Sequence, residues 1–302
     1  MPRFASSAAT ITHVLPFSVT RPTYTSCMTV SLPQIAILGA GSMGGAILSG
    51  LLSPEVRADG ITVTNRTEAK AALQRHEGVV SLALESDPDA TATALRGARL
   101  VLLGVKPGMV PELLRDIRDL LEPDALVVSL AAGVTVATME ALVPQVVFRS
   151  MPNTPSVVGL GVTGVARGTR ASDADAAQVR ALFETVGAVI ELPESQIDAL
   201  STISGSGPAY VFFLIERLTE TALGLGFDEE QARLMVEQTF RGASELLAAS
   251  DVGPEELRRR VTSPKGTTER AIGVLESADL TALFDRATAA ALARAAEMAR
   301  GE

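Results

Sequence analysis

Two stretches of this chain hold residue types that can bind an anion without a charged side chain. The first is Gly39-Ala40-Gly41-Ser42-Met43-Gly44, spaced G-x-G-x-x-G between an apolar run and a helical one. Gly39 permits a tight turn, Gly41 lets backbone approach a pyrophosphate, and Gly44 lets a helix pack close to a strand. A helix start adds free N–H groups and the positive end of a dipole. A glycine-rich turn that binds nothing has the same composition; the position between strand and helix favours a dinucleotide site. The second stretch is Val261-Thr262-Ser263-Pro264-Lys265-Gly266-Thr267-Thr268, at the mouth of a helix starting near Thr267. Hydroxyls and backbone N–H groups converge there into a neutral cradle suited to a carboxylate. Helix capping by Thr267 explains the same residues. The two readings are compatible, because a ligand can satisfy the orphan N–H groups that a cap would.

Three further loops qualify by position. Asn65-Arg66-Thr67 ends an apolar strand 21 positions beyond Gly44. An acid near there would accept from ribose hydroxyls and repel a 2′-phosphate, whereas Arg with neutral donors can bind one. The chain therefore reads as preferring NADPH, with NADH the alternative; the competing reading makes Arg66 a solvated helix-start residue. Val105-Lys106-Pro107 sits at another strand end, where open α/β sheets bind ligands, although a lysine there is often only solvated. Met151-Pro152-Asn153-Thr154-Pro155 is a stiff loop that can hold the Asn153 amide in place, or simply a rigid turn. Ser204-Gly205-Ser206-Gly207-Pro208-Ala209-Tyr210 opens a long apolar helix; Ser206 or Gly207 as cap and Pro208 in the first turn explain it as structure.

The elements that must position these loops alternate. Strands are expected at Gln34–Leu38, Ile61–Asn65, Arg99–Val105, Ala125–Leu130 and Val146–Ser150, with helices at Ser42–Leu52, Thr67–His76, Gly108–Leu121 and Val134–Leu142. Such alternation argues a mainly parallel sheet covered on both faces. Val162–Ala166 and Ala188–Leu192 read as two more strands around a helix near 172–186. After Pro193 only helices are expected: 196–202, 208–225, 228–249, 254–261, 267–276 and 279–300, with Asp228, Pro254 and Asp279 at helix starts. The expected division is an extension over 1–30, a dinucleotide-binding domain over 31–192 and a helical domain over 193–302.

Composition narrows the chemistry. Hydrophobic residues make up 47% and aromatics 4%, so the core is aliphatic. Lys and Arg total 26 against 35 Asp and Glu, a net charge of −9, which argues against nonspecific nucleic-acid binding. The single cysteine, Cys27, forms no intrachain disulfide and fits a reducing, cytoplasmic setting. His13 and His76 lie away from every motif, so no histidine metal site or Ser-His-Asp triad is expected. No apolar run reaches the roughly 20 residues needed to span a bilayer. Residues 1–30 hold Arg3, Arg21, many Ser and Thr and no acid. A transit peptide has that composition; a disordered extension ahead of a natural start at Met28 is the reading preferred.

The ordered motifs G-A-G-S-M-G, V-K-P, M-P-N-T-P, S-G-S-G-P-A-Y and V-T-S-P-K-G-T-T resemble those of pyrroline-5-carboxylate reductases, over about residues 33–300. Ser129-Leu130-Ala131-Ala132-Gly133 is similar to the family's loop beside the nicotinamide. The resemblance implies an N-terminal Rossmann-type domain and an all-helical C-terminal dimerisation domain, with a homodimer that can assemble further. Tyr210–Ile215 and Ala287–Ala296 are candidate dimer surfaces, or intrachain core. It implies reduction of 1-pyrroline-5-carboxylate to proline by NAD(P)H. Gly39 to Gly44 would carry the pyrophosphate, Asn65 and Arg66 the adenosine end, and Val105, Lys106, Pro107, Ala131, Ala132 and Asn153 the rest of the cofactor. Val261, Ser263, Gly266, Thr267 and Thr268 would cradle the substrate, with the Thr268 hydroxyl near the ring nitrogen.

Two positions depart from the family pattern. Lys265 stands where the family has glycine; if φ is positive there, a lysine costs about 1 kcal/mol or more. It could instead add a charge near the carboxylate. Thr91 matches an Asn that the family often has in a loop. Two other readings stay open from the sequence. One is a related β-hydroxyacid or imine reductase, disfavoured because the helical region's one lysine, Lys265, lies in a loop. The other is a cofactor-binding regulator without turnover.

Overall fold

The structure, a computed structural model, describes residues 30–300, with side chains to Glu297. The readings made for residues 1–29, including Met28 as a start, lie outside the described residues. The strands are β1 (Val30–Leu32), β2 (Ile35–Leu38), β3 (Val56–Ala58), β4 (Ile61–Asn65), β5 (Val79–Ala83), β6 (Leu100–Leu103), β7 (Leu126–Ser129), β8 (Val146–Met151), β9 (Gly161–Arg167) and β10 (Gly187–Glu191). Eight of them form one sheet in the order β10-β9-β8-β7-β6-β2-β4-β5, and β1 pairs with β3 separately. All pairs are parallel except β8 with β9. The parallel sheet expected from the alternation is present.

Helices α1 (Ser42–Leu51), α2 (Glu68–Ala72), α3 (Ala90–Leu95), α4 (Val110–Ile117), α5 (Val136–Glu140) and α6 (Asp173–Glu184) cover its two faces. Alternate residues of β2 show the division. Ile35 and Ile37 pack with Ile47 and Leu48 of α1 and Val179 and Phe183 of α6. Ala36 and Leu38 pack with Leu95, Leu114 and Met139 on the opposite face. Burial on both sides explains why β2 and β6 are unbroken apolar runs.

The sequence-based expectation differs from the structure in several places, the short strands β1 and β3 among them. Strand β5 is not among the expected strands: it is an edge strand with Val80 exposed, so its apolar signal is weak. Helix α3 is likewise additional, and it carries Thr91, which is therefore helical and not in a loop. The helix expected over Thr67–His76 is only α2; Leu73 beyond it is exposed, and Gly78 takes φ +77° before β5. The expected Gly108–Leu121 helix starts as a 3₁₀ turn at Pro107–Met109 before α4.

Beyond Pro193 come α7 (Ile197–Leu200), a π-helical turn over Ser201–Gly205, α8 (Gly207–Gly224), α9 (Glu229–Ala248), α10 (Pro254–Arg260), α11 (Thr267–Ser277) and α12 (Leu280–Arg300). Asp228 caps α9 in a reciprocal pair with Gln231, and Pro254 opens α10, as expected. The described chain forms two compact bodies, one of residues 213–280 and one of residues 30–212 together with 281–300. No helix of the described residues is long and apolar enough to cross a membrane.

Gly50 shows how tightly α1 is seated. A Cβ there would meet Val186 Cγ1 at 2.5 Å and the Thr185 carbonyl oxygen at 2.7 Å. Gly50→Ala is expected to destabilise by about 1–3 kcal/mol through overpacking. A urea titration checks this as a lowered midpoint with unchanged slope.

Candidate active site

The strand order reverses at β2, which has β4 on one side and β6 on the other. Ligands of such sheets bind beyond the carboxyl ends of the strands at that switch point. The turn after β2 is Gly39 to Gly44. Gly39 takes φ +90°, and a Cβ on it would meet Val105 Cγ1 at 3.0 Å and the Gly104 carbonyl at 3.1 Å. A Cβ on Gly104 would in turn intrude on the Gly39 oxygen. The glycine turn and the Val105-Lys106-Pro107 loop are thus packed backbone to backbone. Gly44 sits 3.1–3.2 Å, by its absent Cβ, from the Gly39 oxygen and Ile37, so only glycine lets α1 come this close. Gly41 has nothing within 4 Å of where a Cβ would be. It is the N-cap of α1, with no side-chain cap and no acid in the first turn. The first N–H groups of α1 are therefore left without a side chain, facing open space.

At the end of β4, Asn65 is 4% exposed and its Nδ2 is buried with no hydrogen-bond partner. Buried amides are rarely left so, and the acceptor of a bound ligand would complete it. Arg66, next along, is exposed and in no ion pair among the described residues. The residues present fit a dinucleotide.

A cavity of about 640 Å³ opens beside the loops expected at the nicotinamide side. Pro107 and Ala132, both expected on that side, line it. Lys106 is exposed nearby and Ala131 is buried beneath. The same cavity is lined by Asp198, Ser201, Thr202 and Ser206, which sequence reasoning missed. The π-helical turn brings them there: the Ser206 N–H reaches back five residues to the Ser201 oxygen at 2.9 Å. π-turns are rare and concentrate at functional sites. Ser206 does not cap α8 from outside. Its carbonyl takes the N–H groups of Ala209 and Tyr210, and the Tyr210 hydroxyl donates to the Thr202 oxygen at 3.0 Å.

Asn153 is engaged within the protein. Its Oδ1 accepts from the Val162 N–H and its Nδ2 donates to the Ser204 oxygen, both at 2.8 Å. It ties the Met151–Pro155 loop to the π-turn. Arg149, slightly earlier on β8, is a second tie. Its guanidinium is 3% exposed and reaches Asp198 at 2.5 Å and Glu194 at 3.5 Å. Glu194 also accepts from the Val136 N–H at 2.7 Å, just past the Ala131–Ala132 loop. A buried guanidinium is tolerable only while both carboxylates stay. No local sequence signal marks Arg149, since its partners lie 45 and 49 positions away.

In the other body, α11 is capped by Gly266, with no side-chain hydrogen bond. Thr267 is the first helical residue, so the cap expected of Thr267 is not made. The reason is the turn before it: the Gly266 N–H bonds to the Ser263 oxygen at 2.9 Å, and a Cβ on Gly266 would lie 2.9 Å from that same oxygen. Ser263, Thr267 and Thr268 are exposed at this helix start, as is Val261. The arginines just ahead do not add charge to it. Arg259 and then Arg260 hydrogen-bond Glu256, holding its carboxyl down to about 2. Lys265 does take positive φ, +61°, with its N–H bonded to Glu269 at 2.8 Å.

Residues 194–298 match the family model described as pyrroline-5-carboxylate reductase dimerisation, and residues 34–133 match one described as NADP oxidoreductase, coenzyme F420-dependent. A pyrroline-5-carboxylate reductase of Pseudomonas aeruginosa is 38% identical over 274 residues, covering 89% of this chain and 98% of that protein. One from Corynebacterium melassecola is 37% identical, covering 89% and 100%. Among solved structures, a pyrroline-5-carboxylate reductase from Coxiella burnetii superposes with a TM-score of 0.80 at 36% identity, covering 87% of this chain and 97% of that one.

The left-handed backbone at Lys265 generates a prediction. Lys265→Gly is expected to raise stability by about 0.5–1 kcal/mol, the relief of a side chain at positive φ less the added freedom of the unfolded chain. Thermal unfolding at fixed pH measures it as a higher Tm.

Proposed function

The chain belongs to the pyrroline-5-carboxylate reductase family, and from that premise we propose how its own residues divide the work. The reaction is reduction of 1-pyrroline-5-carboxylate to proline, at the expense of a reduced nicotinamide dinucleotide. The single observation that carries the assignment of roles is that α1 and α11, which follow the glycine turn and the Val261–Thr268 motif, are both capped by glycine with no side-chain hydrogen bond from the cap. At α1 no acid stands in the first turn; at α11 the Glu269 carboxylate is held on the Lys265 N–H.

At α1, Gly39, Ala40, Gly41, Ser42, Met43 and Gly44 hold the pyrophosphate on main-chain N–H groups. Asn65 gives its unpartnered Nδ2 to the adenosine end, and Arg66 faces the ribose 2′ position, so NADPH is the preferred donor. Val105, Lys106, Pro107, Ala131 and Ala132 bound the nicotinamide side. Asn153 acts there through the chain, by tying its loop to the π-turn. At α11, Val261, Ser263, Gly266, Thr267 and Thr268 hold the substrate carboxylate with hydroxyls and N–H groups. The Thr268 hydroxyl stands beside the ring nitrogen, its oxygen accepting from the N–H of the protonated imine.

When bound, the reduced cofactor supplies the hydride. The chain's residues have little else to do to bonds, because a protonated imine is already a good electrophile. They orient the two reactants, and the nitrogen keeps its proton in the product. No histidine is needed.

Residues 194–298 carry the family's dimerisation segment, which supports homo-oligomerisation. We take the unit to be a homodimer. Val211, Phe212, Phe213 and Leu214, apolar around most of one turn of α8, are exposed in the single chain, as apolar surface awaiting a second copy would be. A cytoplasmic setting fits a chain with one cysteine.

Steady-state kinetics tests the two ends separately. Thr268→Ala is expected to lower kcat/KM for the imine by about tenfold or more, with NADPH affinity nearly unchanged. Equal loss of cofactor affinity would contradict the substrate role. Arg66→Ala is expected to raise KM for NADPH several-fold more than KM for NADH; an unchanged ratio would mean that the 2′-phosphate is read elsewhere.

A further inference from the structure

Strand β5 brings a residue to the adenosine end that the motifs do not contain. It pairs with β4 in the register Asn65↔Ala83. The pairing runs on past both strands: the Leu84 N–H bonds to the Asn65 oxygen at 2.9 Å and the Glu85 N–H to the Arg66 oxygen at 3.1 Å. Glu85 is therefore held beside Arg66 by backbone. Its carboxylate turns onto the first amide of α2, accepting from the Glu68 N–H at 2.5 Å. The other acid there is already committed, since Glu68 pairs with Arg75. An exposed cation in no ion pair among the described residues, Arg66, and an exposed carboxylate, Glu85, thus flank the unpartnered Asn65 amide.

We propose that Glu85 is a specificity-determining residue that limits the preference for NADPH and lets the enzyme use NADH as well. The proposal rests on the placement of the adenosine end at Asn65 and Arg66. A ribose 2′-phosphate drawn to Arg66 comes near the Glu85 carboxylate that the backbone pairing holds beside it, and like charges repel. An unphosphorylated ribose presents a 2′-hydroxyl instead, which donates to a carboxylate. Arg66 and Glu85 therefore act in opposite senses on the same atom of the cofactor. Positions 65 and 66 alone do not show this, because the acid comes from the neighbouring strand.

The test is binding of adenosine 2′,5′-bisphosphate and of 5′-AMP to the full chain by titration calorimetry, with NADPH and NADH kinetics alongside. Glu85→Gln keeps an oxygen to accept from the Glu68 N–H, so the loop is retained while the charge is removed. Its affinity for the bisphosphate is expected to rise about five- to tenfold, with 5′-AMP unchanged or weaker. The kcat/KM ratio of NADPH over NADH is expected to rise by a similar factor. Arg66→Ala is expected to move both quantities the opposite way. If Arg66→Ala weakens the bisphosphate and Glu85→Gln does nothing, the role of Glu85 is overturned and the placement stands. If neither variant alters bisphosphate binding, the placement itself is wrong.

Discussion

The Gly39 turn and the Gly104 strand end meet through main chain alone, and the rest of the cofactor face is built outward from that meeting. Because neither residue carries a side chain, the Gly39 oxygen can lie where a Gly104 Cβ would intrude on it, and the Gly104 carbonyl comes within 3.1 Å of where a Gly39 Cβ would be. This packing seats the start of α1 against the end of β6. It sets the distance between the Gly39–Gly44 turn and the loop that leads to Pro107. Any larger residue at either position would separate the two strand ends and move both loops at once.

The second organising element is the set of ties around Arg149 and Asn153. Buried charge and buried amide are costly unless fully partnered. Here the partners are Asp198, Glu194, Val162 and Ser204, drawn from segments far apart in the chain, while the Arg149 Nε stays buried without one. The arrangement converts a solvation requirement into positional control. The Ala131–Ala132 loop, the Met151–Pro155 loop and the π-turn cannot shift independently without orphaning one of these groups. Rigidity of this kind is what hydride transfer between two bound reactants asks of a protein.

Much of this is legible in the residues. The glycine turn is readable because each of its glycines answers a local backbone need, and β2 and β6 because burial on both faces writes them as unbroken apolar runs. What is not legible depends on partners distant in sequence. Strand β5 is half-exposed at the sheet edge, so its alternation is faint, and Glu85 goes unnoticed with it. Arg149 looks like any strand arginine until Asp198 is beside it. Residue preference assigns the cap of α11 to Thr267, and the turn geometry at Ser263 gives it to Gly266 instead. The family motifs cover residues, while the ties between motifs come only from the fold.

The π-turn ahead of α8 has a consequence for how this chain tolerates insertion and deletion. Such a turn holds one residue more than an α-helical turn. Each residue of an α-helix advances its side chains by about 100°. Trimming one residue from Ser201–Gly205 to restore ordinary winding would thus spin the register of everything downstream by over a quarter revolution. The stripe from Val211 to Leu214 would point elsewhere, and the hydroxyl of Tyr210 would leave the Thr202 oxygen. The extra residue works as a phase shifter between the wall of the cavity and the apolar face of the helix, so the length of this short stretch is constrained even where its side chains are not.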